Sequence, residues 1–120
     1  MGTVHEVVGW VAIGLNALVG LWGVGAHIAR RGVGPWFALS AIVGLLLAAV
    51  QVGLGLLLFA GGANPGSFHL FYGFVVLFMV AFAYIFRAQL AVSPGLRWGL
   101  LALFVAGLGI RAWMTFGQVL

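Results

Sequence analysis

The sequence predicts an all-α fold, an integral membrane up-and-down bundle of four helices that occupies residues 1–120 as one domain. Three observations carry this. The chain is 65% hydrophobic and only 5% charged, with a mean hydropathy of +1.28, whereas a soluble domain carries roughly a quarter charged residues. Its apolar residues fall into four continuous runs, each near the ~20 residues that a helix needs to cross a bilayer. The runs are separated by glycine, proline and arginine. They do not alternate, so they exclude the strands of a membrane barrel.

The first span runs from about residue 4 to 28 and stops at Arg30-Arg31-Gly32. The N-terminal residues Met1 to Glu6 lack the basic stretch of a signal peptide, so this span is expected to be permanent. Gly34-Pro35 opens the second span, about 36–60; proline suits a first helical turn, where its missing N–H has no partner in any case. The run Gly61-Gly62-Ala63-Asn64-Pro65-Gly66 is the strongest breaker. After it Ser67 is expected to cap the third span, about 68–87, through its side-chain oxygen. Ser93-Pro94-Gly95 breaks the chain again, and the fourth span covers about 96–116.

Arg30, Arg31, Arg87 and Arg97 fall on the side of the first and third loops, and the loop holding Asn64 carries no basic residue. The positive-inside bias then puts the arginine end in the cytoplasm and both termini on the periplasmic or extracellular side. The expected location is a bacterial cytoplasmic (inner) membrane, with Trp10, Trp36, Trp98 and Trp113 toward span ends as interfacial anchors.

Composition also limits the chemistry. Net charge +4 comes from five arginines without a lysine, which sets orientation and is no footprint for nucleic acid. With no cysteine, disulfides and thiolate metal sites are excluded. Glu6 is the only carboxylate side chain, and one carboxylate cannot form an acid/base pair. No Ser/His/Asp set or phosphate loop is present, and the reading leans away from an enzyme.

The two hairpins match in places. Span one opens His5-x-x-x-Gly9-Trp10 and span three opens His69-x-x-x-Gly73-Phe74. Both hairpins turn through arginine and proline. Gln51 lies 16 residues after Pro35, and Arg111 lies 17 after Pro94. Two parallel helical-hairpin repeats are one account of these matches. With or without a duplication, His5 and His69 start parallel helices at similar depth. Imidazole is a common axial haem ligand. A glycine four residues along, one turn away on the same face, leaves room for a flat macrocycle held edge-on. His5 and His69 are thus the candidate metal ligands, with Gly9 and Gly73 as candidate contacts of haem b. The bland alternative is two interfacial histidines bonded to water and headgroups.

At about 100° per residue, His5, Gly9, Ala12, Asn16, Gly20, Gly23 and His27 share one stripe of span one. Small residues in such a stripe let another helix approach closely, with a buried Asn as glue. Arg111 lies in the fourth span away from the other arginines. It is expected to be charge-paired, with Glu6 or with an acidic ligand group such as a propionate, or to snorkel to the headgroups. Gln51 is placed to bond Arg111, a His ring or a ligand. His27, near Arg30, is read as interfacial, with Tyr84 at a comparable depth. The phenylalanines of the third span are read as lipid-facing or packing residues.

With His5-x-x-x-Gly9 and His69-x-x-x-Gly73 on a pair of helical hairpins, the chain resembles one four-helix half of a haem A synthase, and small four-helix membrane b-type cytochromes. That resemblance implies a haem held by paired histidines. Haem A synthases carry Glu-x-x-His-Arg and a second bundle; here Glu6 follows His5 and no arginine follows it, so the family's hydroxylation is not implied.

Three functions are consistent with these residues. The first is a haem-binding, cytochrome b-like membrane protein in electron transfer or haem handling. The second is a cofactor-free accessory subunit of a respiratory or photosynthetic membrane complex, packing lipids, neighbours or a second copy. The third is a small transporter, for which one Arg and one Glu give thin coupling machinery.

Overall fold

Helix-forming apolar runs and the breakers between them set the elements of the computed structural model, which describes residues 2–118. Met1 and Leu120 lie outside the described residues. The elements are α1 (Gly2–Ile28), α2 (Pro35–Ala60), α3 (Ser67–Ile85), α4 (Arg87–Leu90) and α5 (Pro94–Met114). Four of these, all but α4, are long and apolar enough to cross a membrane, and they fit a multi-pass membrane protein. The long axis of the molecule, 48 Å, is close to the ~40–45 Å of a bilayer with its headgroups.

Two boundaries differ from the sequence expectation. The third long helix stops at Ile85, and residues 87–90 form a separate turn of helix. At the other end of α3 the cap position is held by Gly66 at φ 90°, and Ser67 is already the first helical residue. Glycine adopts that left-handed backbone at no steric cost. Asn64 Oδ1 accepts the Gly66 N–H at 3.1 Å and so fastens the turn from within. Residues after α5 fasten it from outside: the Gly117 N–H donates to the Pro65 carbonyl at 2.7 Å, and the Phe68 N–H to the Gln118 carbonyl at 3.3 Å.

The long helices run up, down, up and down. The start of α1 meets the end of α2 through His5 and Gln51, and the start of α3 meets the end of α5 through His69 and Ala112. Neighbours around the ring are α1–α2, α2–α3, α3–α5 and α5–α1, and the backbones of α1 and α3 stand diagonally apart. The closest seam is α1–α5. There a Cβ on Gly99 would lie 3.0 Å from the Val24 amide nitrogen and 3.1 Å from the Gly20 carbonyl oxygen. A Cβ on Gly23 would run into the Gly95 carbonyl and the Phe37 ring. The small-residue stripe read on span one is therefore a backbone-to-backbone packing face over this half of its length.

Asn16, 1% exposed, joins α1 to α2: its Nδ2 donates to Ala12 O at 2.9 Å and to Gly44 O at 3.0 Å. Around it the core divides in two. Val19, Phe37, Ala41 and Ala102 pack at the arginine end. Leu45, Ala48, Val76, Ala83, Leu101, Val105 and Leu108 pack among α2, α3 and α5. Phe71, Phe74 and Phe78 are exposed on the outside of the bundle, as expected for lipid-facing side chains. His27 is exposed near the arginine end, and Tyr84 lies under the Arg87 guanidinium, 4.4 Å from its ring centre.

Candidate functional site

The histidine end of the bundle is hollow. A cavity of about 760 Å³ lies among α1, α2, α3 and α5, and the loop residues Ala63, Asn64 and Pro65 form part of its wall. Its volume falls within the range of small-molecule and cofactor sites, about 300–1,000 Å³. Most of its lining is apolar. The polar exceptions converge from three helices: His5 and Glu6, Gln51, and His69, with Asn16 farther in.

His5 and His69 approach each other across the diagonal that their backbones leave open. Their ring centres are 6.2 Å apart with planes inclined at 73°. Gly55 of α2 makes the His5 position available, since a Cβ there would lie 3.0 Å from the His5 Cε1. The sequence reading missed Gly55; four glycines lie among residues 44–61 of α2 and its cap, and nothing in their spacing marks this one.

The two rings are held differently. His69 Nδ1–H donates to the Ala112 carbonyl at 2.8 Å, which leaves the Nε2 lone pair free. A backbone carbonyl on the far nitrogen is the usual device for fixing a ligating imidazole's tautomer and direction. That carbonyl was not legible in the sequence, because any residue at position 112 supplies one. His5 has a weaker restraint: Gln51 Nε2–H donates to His5 Nε2 at 3.5 Å, near the limit of a hydrogen bond. Among the described residues, three buried atoms of cavity-lining side chains have no hydrogen-bond partner, namely His5 Nδ1, Gln51 Oε1 and Asn16 Oδ1.

Gly9 and Gly73 both line the cavity, in unlike ways. A Cβ on Gly9 would lie 2.5 Å from Gln51 Nε2, so Gly9 is where the glutamine side chain fits. A Cβ on Gly73 would meet nothing within 4 Å, so Gly73 faces open space beneath His69.

The expected Glu6–Arg111 pairing is not formed. Among the described residues there is no ion pair; Arg111 is exposed, and its Nε–H reaches the Tyr72 hydroxyl at 3.3 Å. The reason is helical phase. Gly109, Ala112, Trp113 and Phe116 line the cavity, a stripe at i, i+3, i+4 and i+7. Arg111 falls off that stripe and lines no part of the cavity, whereas Glu6 does line it. Gln51 and Arg111, in matching places along the two hairpins, thus point to different surroundings.

Among the described residues no cluster of three or more His, Cys, Asp or Glu is placed to hold a bare metal ion. Two imidazoles alone make an incomplete set for an ion. They are a complete axial set for a metal whose four equatorial ligands come from a macrocycle. Compared with protein-family models, with curated proteins and with solved structures, the chain matches none.

Proposed function

We propose that this chain is a cytochrome b-like protein of a bacterial cytoplasmic membrane, in which His5 and His69 hold one haem b for electron transfer or haem handling. The observation that carries this reading is the pair of histidines meeting across the hollow end of the bundle. With imidazole–metal bonds of roughly 2 Å, two rings about 6 Å apart would leave space for one metal between them. The rings here stand at 6.2 Å.

The surroundings fit the group. The cavity is mostly apolar and large, Gly73 leaves its floor open beside His69, and His69 presents an unshared Nε2 lone pair. Bound haem would supply a one-electron couple. The protein's part is to orient His69 through the Ala112 carbonyl, to release His5 from its weak Gln51 contact, and to keep water from the metal. The proposed orientation puts the histidine end at the periplasmic face and the four clustered arginines in the cytoplasm.

The test is the haem content of the purified protein, from expression with added haem precursor. One haem per chain with a Soret band supports the reading. A colourless protein that also fails to take up added haem contradicts it. Arg111 has no part in the proposed site, so Arg111→Gln and Arg111→Lys are expected to leave the spectrum and haem content of wild type. Haem loss in both variants, with the bundle folded, would restore a ligand-holding role to that guanidinium.

A further inference from the structure

The four walls of the cavity are not equally closed. On the α1–α5 side Gly109 packs closely on Ile13, and the Trp10 and Trp113 rings stand edge-on with centres 5.2 Å apart. On the α1–α2 side His5 lies against Gly55, and Asn16 bonds across to Gly44. On the α3–α5 side His69 is tied to Ala112, and Phe116 lies against the His69 ring at 5.3 Å. The turn of residues 63–65 covers the end, strapped by the Gly117 and Gln118 backbone.

The α2–α3 side is different. It is the shallowest of the four neighbouring helix packings. Its cavity wall consists of Leu56, Phe59, Phe74 and Leu77, and each of these is also exposed on the outside of the bundle, Phe74 at 72% and Leu56 at 53%. Trp10, Trp113 and Phe116 also line the cavity and are exposed, but edge-on contacts with each other or with His69 hold their rings; the α2–α3 side chains line the shallower packing. A two-fold repeat of the hairpins would make the α1–α5 and α2–α3 seams equivalent. They are not: backbone-to-backbone glycine contacts hold the first at its arginine end, and the second is the shallower packing.

We propose that the α2–α3 seam is a lateral portal, through which the site exchanges its flat apolar ligand with the lipid phase and not with water. The inference deepens the haem reading and rests on it. An all-apolar rim asks no desolvation of polar groups during passage. Opening it takes rotamer changes of exposed Phe and Leu side chains, which are fast. Opening the capped end would break the backbone hydrogen bonds from Gly117 to Pro65 and from Phe68 to Gln118.

The test follows the Soret band after apo-protein in haem-free phosphatidylcholine vesicles is mixed with haem-loaded vesicles of the same lipid. Leu77→Trp fills the rim and is expected to slow loading by about ten-fold or more. Phe74→Ala widens it and should speed loading, and it keeps the test decisive if the bulkier variant fails to fold. The loading rate, read separately from the final amplitude, is the measure of the portal. Leu100→Trp, on the exposed face of α5, should load as wild type does. Unchanged rates in both rim variants would overturn the portal. So would faster loading in Gly117→Pro, which loses the strap's N–H donor and cannot hold the φ of 84° found there. If wild type and all variants stay colourless, the haem reading itself fails and the portal for haem falls with it.

Discussion

His69→Ala is expected to abolish stable haem retention, lowering affinity by more than the ~10–100-fold that follows loss of a supporting group around a metal ligand. In the proposed site His69 would be the better-prepared ligand, since the Ala112 carbonyl already fixes its ring and tautomer. His5→Ala should also lose six-coordinate haem. It is expected to leave more residual binding than His69→Ala, because His5 is held only by the 3.5 Å contact with Gln51. Haem titration of each purified variant measures this order. Equal and unchanged affinity in both variants would remove the histidines from the site. Because both side chains border empty space, the bundle should remain folded, and helicity by circular dichroism separates ligand loss from misfolding.

Gly23→Leu is expected to cost more than about 3 kcal/mol of stability, at or beyond the top of the usual range for overpacking. That is a large fraction of the ~5–15 kcal/mol that holds a typical fold together. Even the first carbon of a side chain at Gly23 meets the Gly95 carbonyl and the Phe37 ring, and the obstacle is backbone. The helices would have to part along the seam that carries α1 against α5. Gly25→Leu is the matched control, since a Cβ there meets nothing within 4 Å. Thermal unfolding in detergent should show a pronounced drop for Gly23→Leu and little change for Gly25→Leu.

The four long helices were legible because hydropathy, breakers and length agree, and these are local properties. The small-residue stripe was also legible, since Gly20 and Gly23 can only be useful where something approaches closely. Helical phase around an axis was readable for His5 and His69, where a shared offset from two glycines fixes the face. It did not settle Arg111, for which an inward partner and snorkelling to the headgroups were both open; Arg111 is exposed, and Gly109 and Ala112 of α5 face the cavity instead. The end of α3 at Ile85 and the Gly66 cap were missed, because a run of apolar residues does not record where its backbone bends. The Ala112 carbonyl and the unequal α1–α5 and α2–α3 seams belong to tertiary packing, which no spacing in one hairpin encodes.

The central claim is that His5 and His69 coordinate one iron from opposite faces of a haem. Electron paramagnetic resonance of the ferric protein tests it most directly. Wild type is predicted to give a low-spin signal from two strong-field nitrogen ligands, and His5→Ala a high-spin signal from a site with one histidine left. A high-spin wild type, or a low-spin signal that persists unchanged in both His5→Ala and His69→Ala, would contradict the account.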